Sequence, residues 1–318
     1  MDGNATIQNV FEISELNIWG KRSTIFSTKK AGATESDKNQ LQAIVEYIED
    51  YCIRNNIPRL SGICQPPLKD IIYSEELRRT SKKTVDGIVV TVGQYDDPEQ
   101  QLQSELVVNL SESNTYIIGS SQTGKTSMLQ TILKDMVVTY TPQEVNAYVI
   151  DCGNMSLKVF EMSKLVGGVV FPTEEERVSN LIKMLHNEIA ERKNTFAQNM
   201  VGTFSAYIEA GFTDLPQVFL VIDNVTAFRE YYPECDNDLL VLSRDGQSVG
   251  VNIIATATQT NAISYKVLSN FGIRMALSCN DGNEYSNLYD RCRLNSYNYG
   301  GFYETRISIF SIPIYEND

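Results

Sequence analysis

Eight consecutive residues, Gly119, Ser120, Ser121, Gln122, Thr123, Gly124, Lys125 and Thr126, have the types and order of a phosphate cradle, G-x-x-x-x-G-K-T. Glycines at 119 and 124 let the backbone curl until successive N–H groups point inward at an anion. Lys125 would then reach the β- and γ-phosphates of a nucleotide such as ATP, and the Thr126 hydroxyl would sit on Mg²⁺. A helix opening at this point would add its positive end to the same site. Downstream, Phe219-Leu220-Val221-Ile222-Asp223 is an apolar run ending in a carboxylate. Beside a phosphate cradle, Asp223 is suited to hold the same Mg²⁺ through water.

The residue after Asp223 bears on hydrolysis. Transfer of a phosphoryl group to water needs a group that orients the water and takes its proton, and sites of this kind usually place Glu or Asp there. Asn224 stands in that position. An amide can hold a water but cannot accept its proton, and losing such a base typically slows the reaction by about 10²–10⁴. Asp151, or a carboxylate from a neighbouring domain, is left as a substitute. Gln259, after the run Val251–Thr258, is expected as a sensor between the cradle strand and the Asp223 strand, near the γ-phosphate. It can position water but cannot take its proton.

These groups can meet only if buried strands deliver them to one edge. Apolar runs predict strands at Val85–Val92, Glu105–Leu110, Thr115–Gly119, Ala147–Asp151, Val218–Asp223, Val251–Thr256 and Ile273–Ser278. A helix is predicted from the cradle to about Tyr140. A longer one runs from Thr173 to about Met200, opened by a Thr173–Glu176 capping box. Its inner face is expected at Val178, Leu181, Ile182, Leu185, Ile189 and Phe196. Short apolar runs separated by helices predict an α/β fold with a mainly parallel sheet covered on both faces. Before it, residues 1–30 read as irregular. A helix over 37–56 carries Leu41, Ile44, Val45, Ile48 and Cys52 on one face. Pro58 ends it, and a loop follows to Pro67. Residues 1–84 are thus expected to be an N-terminal helical arm or linker, and 85–318 the nucleotide-binding domain.

Composition narrows the alternatives. Residues 1–84 carry 12 Lys and Arg against 11 Asp and Glu, a net of +1; residues 85–318 carry 15 against 29, a net of −14. Nonspecific duplex binding draws its affinity from the opposite sign, so no nucleic-acid partner is expected. The cysteines at 52, 64, 152, 235, 279 and 292 form no C-x-x-C pair, and His186 is the only histidine. That excludes a zinc constellation at the usual spacings and leaves little room for a Ser-His-Asp or Cys-His site. The thiols are expected to be buried or free, and His186 to be a surface or core residue of the long helix. No run of 18 apolar residues occurs and the first ten residues are polar, so any membrane attachment is expected in sequence beyond this chain.

One longer run is more specific. Arg244-Asp245-Gly246-Gln247-Ser248-Val249-Gly250-Val251-Asn252-Ile253-Ile254-Ala255-Thr256-Ala257-Thr258-Gln259 resembles the signature of FtsK/SpoIIIE ATPases, and Ser269–Ala276 resembles the strand that carries their arginine. Within that family the chain is similar to the C-terminal ATPase domain of the EssC/EccC type VII secretion proteins. The likeness rests on Gly93–Pro98, Tyr148–Asp151, Val166–Val170, and in the arm on Phe11–Ile13, Trp19, Pro58–Leu60 and Gln65–Leu68. The resemblance implies a RecA-like P-loop NTPase binding ATP and Mg²⁺ within a motor anchored at the cytoplasmic face of the bacterial membrane. It also implies preceding ATPase domains in the same chain, small helical WXG100-type substrates and homo-oligomers of the full-length protein. Arg244 or Arg274 would be a trans-acting arginine finger. An active DNA translocase is the family's other occupation and the alternative reading. Asn224 departs from the family pattern.

Overall fold

The computed structural model describes residues 12–27, 40–58, 66, 68–69, 72–73, 87–97, 101–289, 301–303 and 306–311. Cys64, Cys292, Phe11, Pro98 and the segments 59–65 and 85–86 invoked above lie outside them. The chain divides into two compact units, Met1–Gly62 and Ile63–Asp318.

The first unit contains an antiparallel hairpin, β1 (Glu12–Leu16) and β2 (Arg22–Ser27), and a helix, α1 (Gln40–Arg54). The hairpin corrects the expectation that 1–30 is irregular. Its polar strands give no buried apolar run, and its turn is held by the Asn17 side chain, which accepts from Trp19 N and Lys21 N at 3.0 and 2.9 Å. The helix falls within the predicted span, and Leu41, Ile44, Val45 and Ile48 on its apolar stripe are exposed.

The second unit is built on a 10-stranded sheet. Its elements in chain order are β3 (Val89–Asp97), β4 (Leu102–Asn109), β5 (Thr115–Ile118), α2 (Lys125–Thr139), β6 (Val145–Asp151), β7 (Val166–Val170), α3 (Glu175–Gln198), α4 (Phe204–Glu209), β8 (Gln217–Asp223), α5 (Val225–Tyr231), α6 (Asp236–Asp245), β9 (Val251–Ala257), α7 (Tyr265–Leu268), β10 (Ile273–Ala276), α8 (Asn283–Leu288), β11 (Gly301–Tyr303) and β12 (Arg306–Ser311). The spatial order is β4-β3-β12-β11-β10-β5-β9-β8-β6-β7. From β10 to β7 every pairing is parallel; β4, β3, β12 and β11 pair antiparallel. The parallel sheet flanked by helices agrees with the predicted fold class.

Successive residues of a strand point to opposite faces, and here both faces are apolar. On β8, Phe219 and Val221 pack with Met128, Leu129, Ile132 and Leu133 of α2. Val218, Leu220 and Ile222 pack on the other side with α3, α5 and α6. The six predicted inner residues of α3 are all buried there. Their burial contributes on the order of 10 kcal/mol before conformational entropy is subtracted. The capping box does not form. The helix begins one residue later than the box requires, with Glu174 as N-cap; its carboxylate accepts from Phe171 N at 2.9 Å and pairs with Arg177 at 2.7 Å.

Buried polar groups tie the N-terminal ends of the strands together. Asn114 donates to Ser243 O and Asn270 O, each at 2.8 Å, and accepts from Ile253 N at 2.7 Å. Arg192 of α3, almost wholly buried, pairs with Glu188 at 2.7 Å and donates to Val249 O and Pro216 O.

Candidate nucleotide-binding site

The strand order puts β9 between β5 and β8, so the C-terminal ends of β5, which leads into the cradle, of β9 and of β8, which ends in Asp223, lie side by side. β6 follows beyond β8, and Asp151 and Asp223 are register partners at their ends.

The cradle itself leaves β5 at Ile118. Gly119 N donates to Ala257 O at 3.1 Å and Ser120 N to Ser278 O at 2.9 Å, which pins the start of the loop to β9 and to the end of β10. Asn280 N donates to Ser120 Oγ at 2.7 Å, and Thr123 Oγ1 to Ser120 O at 2.8 Å. Gln122 and Gly124 have φ of 62° and 96°. The latter is a conformation glycine adopts without steric cost. Gly124 is the N-cap of α2 and uses no side-chain bond there. Among the described residues, no acceptor outside the loop meets the amides of Gln122, Thr123 or Gly124. A curled loop with open amides at a helix N-terminus fits a phosphate.

Lys125 Nζ bridges the loop, donating to Gly119 O and Ser120 O, each at 2.7 Å. Burial pushes this ammonium below the ordinary lysine range, and Asp223 and Cys279 partly restore it. A desolvated cation at the mouth of the loop gains from an anion.

Asp223 is 2% exposed. Its Oδ2 accepts from Thr126 Oγ1 at 2.8 Å and its Oδ1 from Thr256 Oγ1 at 2.6 Å. Burial raises its pKa; the bonds from Thr256 and Thr126 oppose this, Asp151 adds to it, and Lys125 opposes it. A threonine hydroxyl and a carboxylate in direct contact, beside a second acid, form an oxygen donor set that suits Mg²⁺. Asp151 is itself committed: its oxygens accept from Gly153 N at 2.9 Å and Leu157 N at 3.1 Å.

The part of the chain that holds these groups, residues 71–296, matches the model of the FtsK/SpoIIIE family. The chain belongs to that family. The FtsK/SpoIIIE proteins it resembles include the type VII secretion system protein EssC of Staphylococcus aureus (strain MRSA252), 27% identical over 263 residues. That alignment covers 80% of this chain but only 18% of the relative. Among solved structures, EssC (ATPases 2 and 3) from Geobacillus thermodenitrificans superposes with a TM-score of 0.71 at 24% identity, covering 80% of this chain and 49% of that one. Thermomonospora curvata EccC (ATPases 2 and 3), in complex with a signal sequence peptide, gives 0.67 at 20% identity over 78% of this chain and 49% of that one. At these identities the structures share the fold.

Asn224 of this FtsK/SpoIIIE domain has φ 66° and is the N-cap of α5. Its side-chain oxygen accepts from Ala227 N at 3.3 Å and its backbone N donates to Thr256 Oγ1 at 2.8 Å. Asparagine tolerates the left-handed region and is among the best caps, so local structure supplies its own reason for an amide here. Gln259 is exposed, and its carbonyl accepts from Tyr116 OH at 3.1 Å. Of the two arginines, Arg274 is committed within its own unit, donating to Phe271 O and Leu288 O at 3.0 and 3.1 Å. Arg244 is exposed at the end of α6, paired with Asp245 at 2.6 Å.

His186 lies on α3, half-exposed, 2.8 Å from Asp238. Cys52, Cys152, Cys235 and Cys279 are free thiols. Burial pushes Cys152 up to about 12 and Cys279 to about 11, so neither is a ready nucleophile. Among the described residues, no group of three or more His, Cys, Asp or Glu could hold a metal on its own. Thr256 and Gly153 both stand against Asp223, and the motif reading missed them. A threonine near the C-terminal end of a mostly apolar buried strand was the available signal for the first.

Proposed function

We propose that this chain is an ATP-binding module of a type VII protein-secretion motor that works by binding nucleotide more than by turning it over. One observation carries the reading: a complete P-loop stands against Asp223, while the next residue is an amide engaged as a helix cap. Gly119–Thr126 hold the phosphates, with Lys125 as counter-charge. Thr126 and Asp223 hold Mg²⁺, which, when bound, neutralises phosphate charge. Asn224 cannot accept the proton of an attacking water, and each oxygen of Asp151 already accepts one backbone amide. Gln259 is left to position water.

The family likeness supports the wider setting. Tandem ATPase domains in the similar EssC and EccC structures make a preceding ATPase domain in the same parent chain the natural neighbour of this one. Arg244, exposed, is the arginine available to such a neighbour or to a second copy in a homo-oligomer. The EccC neighbour was solved with a signal sequence peptide, which supports recognition of a helical WXG100-type substrate tail by this domain or its partners. The parent would sit at the cytoplasmic face of the membrane; no described helix here is long and apolar enough to cross it.

The test is calorimetric titration of Mg-ATP with phosphate release followed in the same sample. Saturable binding with turnover near background is expected. Brisk hydrolysis by the unmodified domain, abolished in Lys125→Ala, would overturn the reading.

A further inference from the structure

Asp223 is flanked on its two oxygens by residues that no motif assigns. On the Oδ1 side stands Thr256, wholly buried on β9, whose hydroxyl donates to Oδ1 at 2.6 Å and accepts from Asn224 N at 2.8 Å. One hydroxyl therefore fixes the rotamer of the carboxylate and pins the left-handed turn that follows it. On the Oδ2 side stands Gly153. A Cβ built there would lie 2.8 Å from Oδ2 and 3.3 Å from Asp151 Oδ1. Its φ is not in the left-handed region, so backbone strain does not call for glycine at 153. Space beside the carboxylate does. Gly153 itself is exposed, and Thr126 Oγ1 meets the same oxygen at 2.8 Å.

We propose that Thr256 and Gly153 are positioning residues for the metal: Thr256 occupies Oδ1 so that Oδ2 turns toward Thr126, and Gly153 keeps the far side of Oδ2 open for Mg²⁺ and its water. The inference rests on the Mg-ATP reading of the site. It assigns the two oxygens of Asp223 different tasks. Oδ1 belongs to the fold through Thr256 and Asn224; Oδ2 belongs to the ion. Partners that orient a ligating carboxylate tune metal affinity without touching the metal.

Mg²⁺ is titrated into the protein with ATP present, and ATP affinity is measured separately in EDTA. Thr256→Val should raise the Mg²⁺ concentration for half-maximal tightening by about 10- to 100-fold, with affinity in EDTA changed less than about twofold. Thr256→Ser keeps the hydroxyl and should titrate like the unmodified protein. Gly153→Ala should shift the Mg²⁺ titration in the same direction as Thr256→Val, again sparing the EDTA arm. Each residue is judged on its own titration: an unshifted curve, or equal losses in both arms, removes it from the assignment. A Thr256→Ser curve that follows Thr256→Val also refutes the hydroxyl's role. An unmodified protein that binds ATP in EDTA but does not respond to Mg²⁺ overturns this inference and the assignment of Mg²⁺ to Thr126 and Asp223, and leaves the ATP-binding reading standing. An unmodified protein that binds ATP in neither arm overturns the nucleotide reading as well.

Discussion

The parallel strands carry buried polar groups at both ends, and the two ends are finished differently. At the N-terminal ends, the buried groups named next are satisfied within the chain, and Thr115 Oγ1 at the start of β5 is a buried oxygen without a partner among the described residues. Asn114 has partners for its amide and its carbonyl. Beside it, Ser111 donates to Gln217 at 2.5 Å, Gln217 to Asn252 at 3.2 Å, and Asn252 to Leu110 O at 3.3 Å. Even the buried charge of Arg192 is matched by Glu188 and two carbonyls. At the C-terminal ends, Lys125 and Asp223 are both shifted in the direction that burial imposes on a charged group. Among the described residues, the amides of Gln122, Thr123 and Gly124 there meet no acceptor outside the loop. A closed network stabilises a fold; an open, charged one is completed by ions from outside. The contrast separates architecture from function on the same strands.

The largest effect expected is on turnover. Asn224→Asp keeps a cap acceptor and tolerance of the left-handed turn, and adds a proton acceptor. Phosphate release should rise by about 100-fold or more; no rise would mean that the missing base is not what limits hydrolysis. Next comes Lys125→Ala, which removes charge-assisted bonds to phosphate. Calorimetry should show ATP affinity weakened by about 100-fold with the melting temperature nearly unchanged.

The opposite end should respond in the opposite way. Asn114→Ala strands Ile253 N–H and two carbonyls, and denaturant unfolding should show a loss on the order of 3 kcal/mol, with ATP affinity of the folded protein kept. If Asn114→Ala weakened ATP binding as strongly as Lys125→Ala does, the division between the two ends would fail.

The smallest effect has an unusual sign. Asp223 titrates above its ordinary 3.8 when folded because it is buried. The folded chain therefore holds this proton more readily than the unfolded one, and stability from this group falls as pH rises from 3.8 through the raised value. Without ligand at pH 7, Asp223→Asn should be more stable than the unmodified protein by about 1 kcal/mol, and urea titrations should show the gain vanishing below pH 3.8. The same variant should lose its response to Mg²⁺.

Much of this was legible in the sequence because burial on both faces writes itself as an apolar run. The strands ending at Ile118, Asp151, Asp223 and Ala257 and the cradle between β5 and α2 all appear within a few residues of their predicted bounds. What was not legible has physical reasons. The hairpin of the first unit alternates no buried face. β11 and β12 join the sheet by long-range pairing, which local periodicity does not encode. Asn224 shows its amide in the sequence, but its left-handed backbone and its bond to Ala227 exist only in the folded turn. Gly153 reads as an ordinary loop glycine until Asp223, seventy positions away by number, is seen beside it.

The place of β12 in the sheet has a consequence for how the unit comes together in time. It pairs Ile309 with Asp96 and Phe310 with Tyr95, and through β11 it links that hairpin to β10 and the nucleotide-binding half. Partners 213 positions apart, 309 minus 96, must find each other before the two halves share one sheet. Closing so long a loop carries an entropic cost that local contacts do not offset, and topologies rich in such pairings fold slowly. During synthesis, the β3–β4 hairpin therefore leaves the ribosome long before the strand it pairs with. Until then β3 offers an open edge to any other extended chain in reach, so this seam is where chaperone protection during folding would matter most.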